Sequence, residues 1–206
     1  MKSIFKLLFL FSLALVGCSE KKSAIEKKKN ETLSASSDKN ESYDVIIQAQ
    51  SEPDTITGSM TAVAIGKVGN TSMKITYHSP SVRGRIVWGG LVPFDKVWVT
   101  GAHMATSIEF DHDIIVGGKT ITTGKYAFFT IPGKDEWTII INSNWQQHLA
   151  DQYNEAEDVV RLKVKPEQEE KYQERLRYVV EEESNGEGEL VMYWEKVEVS
   201  MSFIVK

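Results

Sequence analysis

Apolar and polar residues alternate strictly near the end of the chain, in Val197-Glu198-Val199-Ser200-Met201-Ser202-Phe203. Because neighbouring side chains of a β-strand point to opposite faces, this period of two predicts a strand with one buried and one exposed face. A similar alternation runs through Val160–Lys165 and stops at Pro166, which has no N–H to donate to a sheet. Both segments favour an antiparallel β fold.

Nine further segments have the composition of strands and lie between turn signals. They are Tyr43–Ala49, Met73–Tyr77, Val97–Thr100, Thr106–Phe110, Asp113–Val116, Lys125–Ile131, Trp137–Asn142, Arg175–Glu182 and Glu189–Trp194. Glycine-containing pairs separate several of them, at 117–118, 123–124, 132–133 and 185–186. Short strands at a spacing of about 8 to 12 residues predict an all-β domain, a single antiparallel sandwich or barrel-like fold.

One segment departs from the strand pattern. Asn144 is a good helix cap, and Trp145, Leu149, Tyr153 and Ala156 would share one helical face behind it. The spacing predicts one short helical excursion, or a turn-rich one, between two strands.

The composition excludes several classes of protein. Of 206 residues, 41% are hydrophobic, which is enough for a folded core. The single cysteine cannot form an intrachain disulfide. A net charge of −5 argues against a nucleic-acid partner, since phosphate binding needs a dense basic surface.

The N-terminus has the features of a bacterial lipoprotein signal. Lys2 and Lys6 precede an apolar run of 10 to 11 residues that ends in Leu15-Val16-Gly17-Cys18. This run is too short for a membrane-spanning helix of about 20 residues, but it suits a signal peptide. Its end resembles a lipobox, in which cleavage precedes the cysteine and acyl chains such as palmitate are attached to it. The alternative is an ordinary secretory signal with a chance cysteine.

Three regions follow from these patterns: a signal peptide (1–17), the acylated Cys18 with a disordered tether (18–42), and a β-sandwich domain (43–206). The tether is rich in Lys, Glu, Ser and Asn, with almost no aliphatic residues to offset the entropy of ordering. Ser19 stands where Asp would signal retention in the inner membrane. We therefore expect a lipid anchor in the outer membrane, at its periplasmic face or the cell surface.

Four stretches of the body carry a family resemblance: YHSPSVRGR (77–85), LVPFDKVWVTGAH (91–103), GKYAFFTIPG (124–133) and EDVVR (157–161). Together they resemble the bacterial family called domain of unknown function 2911, from about Ala64 to the C-terminus. The resemblance implies an exported protein, since many members are exported and some are lipoproteins. It implies no activity. Val99 stands where the family commonly has Arg, and His103 where it commonly has Asn. If the common Arg and Asn bind something, the resemblance implies that this chain is a variant with a different pocket.

Three of the four histidines lie at predicted strand ends or in the excursion: His78, His103 and His148. Loops converge at the rim of a sandwich, and neutral imidazoles there would bind Zn²⁺ or Cu²⁺. The alternative is that each imidazole is satisfied by a backbone or carboxylate partner. His112, between two aspartates at a predicted turn, is expected to be plain surface.

Arg83 and Arg85 flank Gly84 and follow two serines. Guanidinium groups bind carboxylate or phosphate bidentately, so the pair is a candidate anion clamp. The alternative is that both arginines pair with internal carboxylates such as Glu109 or Asp95.

Five tryptophans lie in the body. Trp137 and Trp194 fall within strand patterns and are expected in the core, whereas Trp88 and Trp145 are candidates for exposed, sugar-stacking rings.

The residues favour a membrane-anchored binding or accessory domain for a small molecule, a metal or a glycan. Two alternatives stay open: a metal-dependent hydrolase that uses the same histidines with Asp151 or Glu109 as base, and a carbohydrate-binding module. Nucleophile-elbow, dinucleotide and phosphate-loop motifs are absent from the sequence.

Overall fold

The computed structural model describes residues 44–206. The expected signal peptide, Cys18 and tether lie outside the described residues. Ten strands follow one another: β1 Met60–Val68, β2 Thr71–Ser79, β3 Thr106–Phe110, β4 Ile114–Val116, β5 Lys119–Ile121, β6 Gly124–Ile131, β7 Trp137–Asn142, β8 Asp158–Val164, β9 Glu167–Ser184 and β10 Glu187–Val205. The only helical element in 44–206 is a 3₁₀ turn, Glu155–Glu157.

The strands form two antiparallel sheets that pack as a sandwich, which confirms the predicted all-β class. One sheet has the order β1-β2-β3-β6-β7-β8, and the other has β5-β4-β10-β9. The alternation at Val197–Phe203 lies in β10, with Val197, Val199, Met201 and Phe203 buried. Asn185 and Gly186 join β9 to β10 with φ of 22° and 86°, as the Asn-Gly signal for a tight hairpin predicts.

Glu189–Trp194 and Val197–Phe203 belong to one long strand, β10, although the sequence separates them. A bulge at Glu195, with φ of 59°, shifts the register to β9 on either side of it. The extra residue changes which side chains face the core, so Trp194 and Val197 are both buried. The apolar pattern therefore predicts two strands, although the backbone forms a single strand with a bulge.

Two expected strands are wrong. Val97–Thr100 contributes only a single bridge, Trp98 to Thr130. Residues 44–50 form no strand. They lie beside β1 instead, where the Val63 amide donates to the Val45 carbonyl at 2.8 Å. This cover buries Ala62, Val63 and Ala64 in succession, so β1 lacks the alternation that would have predicted it.

The expected helix after Asn144 is also wrong, and the turn-rich alternative is correct. β6 and β7 bury both of their faces, because the 143–154 segment crosses the outer one. Trp145 and Tyr153 pack there on Phe129 and Ile140. Leu149, with φ of 52°, is incompatible with a continuous helix. The apolar residues at helical spacing in this segment therefore cover a sheet face instead of forming one side of a helix.

Residues 44–59 form a segment that we call the strap, and a buried arginine of β9 anchors it. The guanidinium of Arg175 donates to both carboxylate oxygens of Asp54, at 2.5 and 2.8 Å. It also donates to the carbonyls of Ile56 at 2.8 Å and Ser79 at 2.9 Å. Hydrogen bonding to Arg175 lowers the pKa of Asp54 to about 2. The strap is thus fastened to the rim where β2 ends.

Within residues 44–206, no helix combines the length and the hydropathy required to cross a bilayer.

Candidate functional site

The loop at residues 99–103 has an unusual backbone. Thr100 has a φ of 51° and His103 a φ of 60°, in the left-handed region. A β-branched residue such as threonine rarely adopts it, and such strain costs about 1–3 kcal/mol per residue. Strain of this kind persists only where the surrounding structure fixes the backbone, and it concentrates at functional sites.

Hydrogen bonds from three strands hold this loop in place. The Thr100 carbonyl accepts from the Tyr178 hydroxyl at 2.6 Å and from Thr106 Oγ1 at 2.9 Å. The Ala102 amide donates to the carbonyl of His78 at 3.2 Å. A Cβ on Gly101 would lie 2.9 Å from Thr106 Oγ1, so a larger residue would push the loop away from β3. The loop is therefore rigid and close to the end of β2.

This arrangement brings two of the three predicted histidines together. The rings of His78 and His103 meet edge to face, with centroids 5.3 Å apart. Partial burial and the neighbouring His103 lower the pKa of His78, which favours its neutral imidazole. His148 forms a backbone bridge with Met104, the residue that follows this loop, and is exposed.

Of the three predicted metal ligands, His78 and His103 are the two whose rings meet in the structure. In the described part of the chain, no group of three His, Cys, Asp or Glu side chains lies close enough to hold a metal ion. Zinc and copper sites need at least three such ligands for tight binding. A metal at His78, His103 and His148 stays a prediction. His112 is exposed and contacts Asp111 at 2.9 Å, as expected for a surface residue.

A cavity of about 340 Å³ lies against the strained loop, and we call it the tryptophan cavity. Trp98 and Trp194 form its aromatic wall, with ring centroids 5.7 Å apart and planes inclined by 19°. The indole Nε1 of Trp98 donates to the Gly101 carbonyl at 2.9 Å, which ties this wall to the loop. The remaining lining residues are Ser59, Pro80, Arg85, Leu91, Val92, Val99, Gly101, Ala102, His103 and Leu149.

Trp88 and Trp145, the two tryptophans expected to be exposed, do not present free ring faces. Trp88 is half-buried and packs edge to face against Trp98, Trp137 and Trp194, at 4.8 to 5.9 Å between centroids. Trp145 is half-buried, with the Lys125 ammonium 4.1 Å from its ring centroid. Glycine neighbours at Trp88 allow a tight turn, but that turn folds the ring inward. Trp137 and Trp194 are buried, as predicted.

A second cavity, of about 230 Å³, adjoins the first, and we call it the arginine cavity. It is lined by Gly58, Ser59, Ser81, Arg83 and Arg85. The Arg83 guanidinium donates to the carbonyl of Ile56 through Nη2. Arg85 donates to the carbonyls of Val82 at 3.1 Å and Ser81 at 2.5 Å. Both arginines therefore bond to backbone rather than to acids.

The expected pairing of these arginines with Glu109 or Asp95 does not form. Glu109 lies across from Lys125, 4.0 Å from its ammonium. Among residues 44–206, neither guanidinium has a carboxylate oxygen within 4.0 Å.

Comparison with protein families supplies one match. Residues 59–203 match the model of a family described as a protein of unknown function, DUF2911. The chain belongs to this family. Comparisons with curated proteins and with solved structures gave no match.

The DUF2911 match includes almost every residue of both cavities. Only Gly58, at the end of the strap, lies outside it. Val99 and His103, the two positions at which the family resemblance implied a departure, both line the tryptophan cavity. The departures therefore fall on one surface, next to the aromatic wall.

Several residues of this DUF2911 site have no signal in the sequence. Ser59 and Leu91 are not parts of any chemical motif, yet both line the tryptophan cavity. Trp194 has the pattern of a core residue and is buried, yet its ring also forms part of the cavity wall. In the 99–103 loop, the sequence pattern indicated His103 and the family resemblance indicated Val99 and His103.

Proposed function

We propose that this DUF2911 domain binds a small organic ligand in the tryptophan cavity and serves as a binding or accessory module of the cell envelope. The observation that carries the proposal is the cavity itself. Its volume of about 340 Å³ and its mainly apolar lining, with Arg85 and His103 as charged or titratable groups, suit a small molecule. The hydrogen-bonded loop at 99–103 preforms the site, which lowers the entropic cost of binding.

The lining favours binding over hydrolysis. Neither cavity has a carboxylate among its described lining residues, and the two candidate bases, Glu109 and Asp151, line neither of them. A general base must lie within hydrogen-bond reach of the proton that it removes. The aromatic wall instead offers a face for an apolar or ring-shaped group.

Binding of a neutral probe tests this proposal. Cyclohexylmethanol should bind with a dissociation constant of about 1 mM or tighter, measured by isothermal titration calorimetry. Leu91→Trp, at the mouth of the cavity, should weaken that affinity at least about tenfold by occupying its volume. Ile86→Trp is the matched control, since Ile86 is exposed and lines neither cavity. No heat of binding at about 10 mM probe would refute the proposed site.

The envelope location rests on the N-terminal pattern and has a separate test. Cys18→Ala should abolish incorporation of labelled fatty acid and release the full-length protein from the membrane fraction. Each acyl CH₂ contributes ~0.8 kcal/mol of membrane affinity, so loss of two or three chains removes the anchor. Ser19→Ala serves as the control and should stay in the membrane fraction. Unchanged retention of the Cys18→Ala protein would contradict lipidation.

A further inference from the structure

We infer that the arginine cavity is an anion subsite of the proposed ligand site, so that the domain takes an amphipathic ligand with a carboxylate or phosphate head and an apolar body. This inference rests on the proposed function, because it assigns a ligand class to the same site. The head would occupy the arginine cavity and the body the tryptophan cavity.

The two cavities meet at shared residues. Ser59 and Arg85 line both of them. Arg85 therefore lies at the junction between a cationic compartment and an aromatic one. A ligand that fills both must carry an anionic group at one end and apolar surface at the other.

The charge around the arginine cavity is opposite to that of the rest of the domain. Residues 44–206 contain 16 basic and 24 acidic residues. Near this cavity, three arginines (Arg83, Arg85 and Arg175) are balanced by two carboxylates. Asp54 is bound to Arg175, and Glu174 accepts a hydrogen bond from the Arg83 amide at 2.9 Å. One positive charge remains, and an anionic ligand would neutralise it.

The cavity also contains a buried hydroxyl that has no partner. Ser81 is 2% exposed, and its Oγ makes no hydrogen bond within the described chain. Burial of an unpaired hydroxyl opposes folding. In residues 44–206, the Nη1 groups of Arg83 and Arg85 make no hydrogen bond either. An anion in the cavity would accept hydrogen bonds from all three groups.

The turn that carries these donors is preorganised. Arg83 and Gly84 both have left-handed backbone, with φ of 49° and 65°. The Val82 amide donates to the Glu174 carbonyl at 2.9 Å, and the Arg85 amide closes the turn on the Val82 carbonyl at 3.1 Å. Of the two, only Arg83 is strained by this backbone, since glycine adopts it freely. The turn places both arginines, which are exposed, at the wall of the cavity.

A matched set of probes tests the subsite by isothermal titration calorimetry on the full chain. Cyclohexanecarboxylate and cyclohexyl phosphate carry the same ring as cyclohexylmethanol, but with an anionic head. At least one of them should bind about tenfold tighter than the alcohol, as charge-assisted hydrogen bonds predict. Which anion binds tighter distinguishes a carboxylate from a phosphate ligand. The advantage should disappear in Arg83→Gln/Arg85→Gln and persist in the control Lys134→Gln, which removes an exposed charge from the turn between β6 and β7.

The outcomes separate this inference from the proposed function. If the alcohol binds and neither anion binds tighter, the subsite is refuted and the binding function stands. If no probe binds, both are refuted. An anion advantage that survives in Arg83→Gln/Arg85→Gln would place the attraction elsewhere and overturn the subsite.

Ser81→Ala provides a second variant that does not depend on the arginines. Loss of its hydroxyl should weaken binding of the preferred anion about threefold to tenfold. Its melting temperature should be unchanged or higher, because the variant removes an unpaired buried group. A Ser81→Ala protein with unchanged anion affinity would contradict a role for Ser81 in the subsite.

Discussion

Replacement of Arg175 by alanine should lower the free energy of unfolding by about 3–5 kcal/mol, since it removes a fully buried side chain together with its bonds to a partly exposed carboxylate and to buried carbonyls. The Arg175 side chain is fully buried and binds Asp54 together with the carbonyls of Ile56 and Ser79. Without the guanidinium, the Asp54 carboxylate and both carbonyls lose their hydrogen-bond donor at a position that water reaches only in part. Urea unfolding followed by circular dichroism measures the loss.

The control for this variant is Lys163→Ala. Lys163 pairs with Glu136 at 3.0 Å, but both side chains are more than half exposed, so the variant should cost less than about 1 kcal/mol. The pH dependence gives a second check. Asp54 has a lowered pKa of about 2, so its stabilising effect is complete above the unfolded value of 3.8 and is lost as the pH falls through 2. In Asp54→Asn this acid loss should be smaller. A loss below about 1 kcal/mol for Arg175→Ala would show that the pair does not anchor the strap.

Trp194→Ala should cost about 3–5 kcal/mol, the range measured for large buried aromatic residues. Trp194 is 1% exposed, stacks on Trp98 and meets Trp88 edge to face. The truncation leaves a void that these neighbouring rings are too rigid to fill. Thermal and urea unfolding both report the effect.

Trp145→Ala is the matched control for this second variant. Its ring is half-buried and covers the outer face of a sheet under Lys125. It loses less buried area, and the loss of stability should be clearly smaller than for Trp194→Ala. Equal losses in the two variants would show that the aromatic cluster between the sheets is not the main source of stability.

The alternating side chains of Val197–Phe203 predicted the end of β10, whereas β7, which buries both faces, was predicted from its composition and its flanking turns. Thr106–Phe110 and Trp137–Asn142 have the predicted bounds, and the Gly117-Gly118 turn joins β4 to β5 with both φ values positive. β1 was missed because the strap covers its second face. The helix after Asn144 was wrongly expected because apolar residues that cover a sheet have the same spacing as one helical face.

The candidate site could be predicted only in part. Arg83 and Arg85 were recognisable as a pair, and His78 and His103 as residues at strand ends. The cavity lined by Trp98 and Trp194 depends on the bulge at Glu195 and on left-handed backbone at Thr100, neither of which has a residue signature. Threonine and glutamate are poor candidates for positive φ, so tertiary hydrogen bonds determine the site.

Docking of the strap on Arg175 and ligand binding in the adjoining cavities should each stabilise the other. Gly58 and Ser59 lie at its end and line the cavities, while Asp54 and Ile56 hold it on Arg175. If undocking of the strap opens a wall of the site, a ligand that contacts this wall binds more tightly to the docked state. By linkage, the ligand stabilises the docked state by the same free energy. Tension on the chain before Asp54, or its proteolysis, would then change the fraction of sites that hold ligand. Bound ligand would in turn protect the strap from undocking and cleavage.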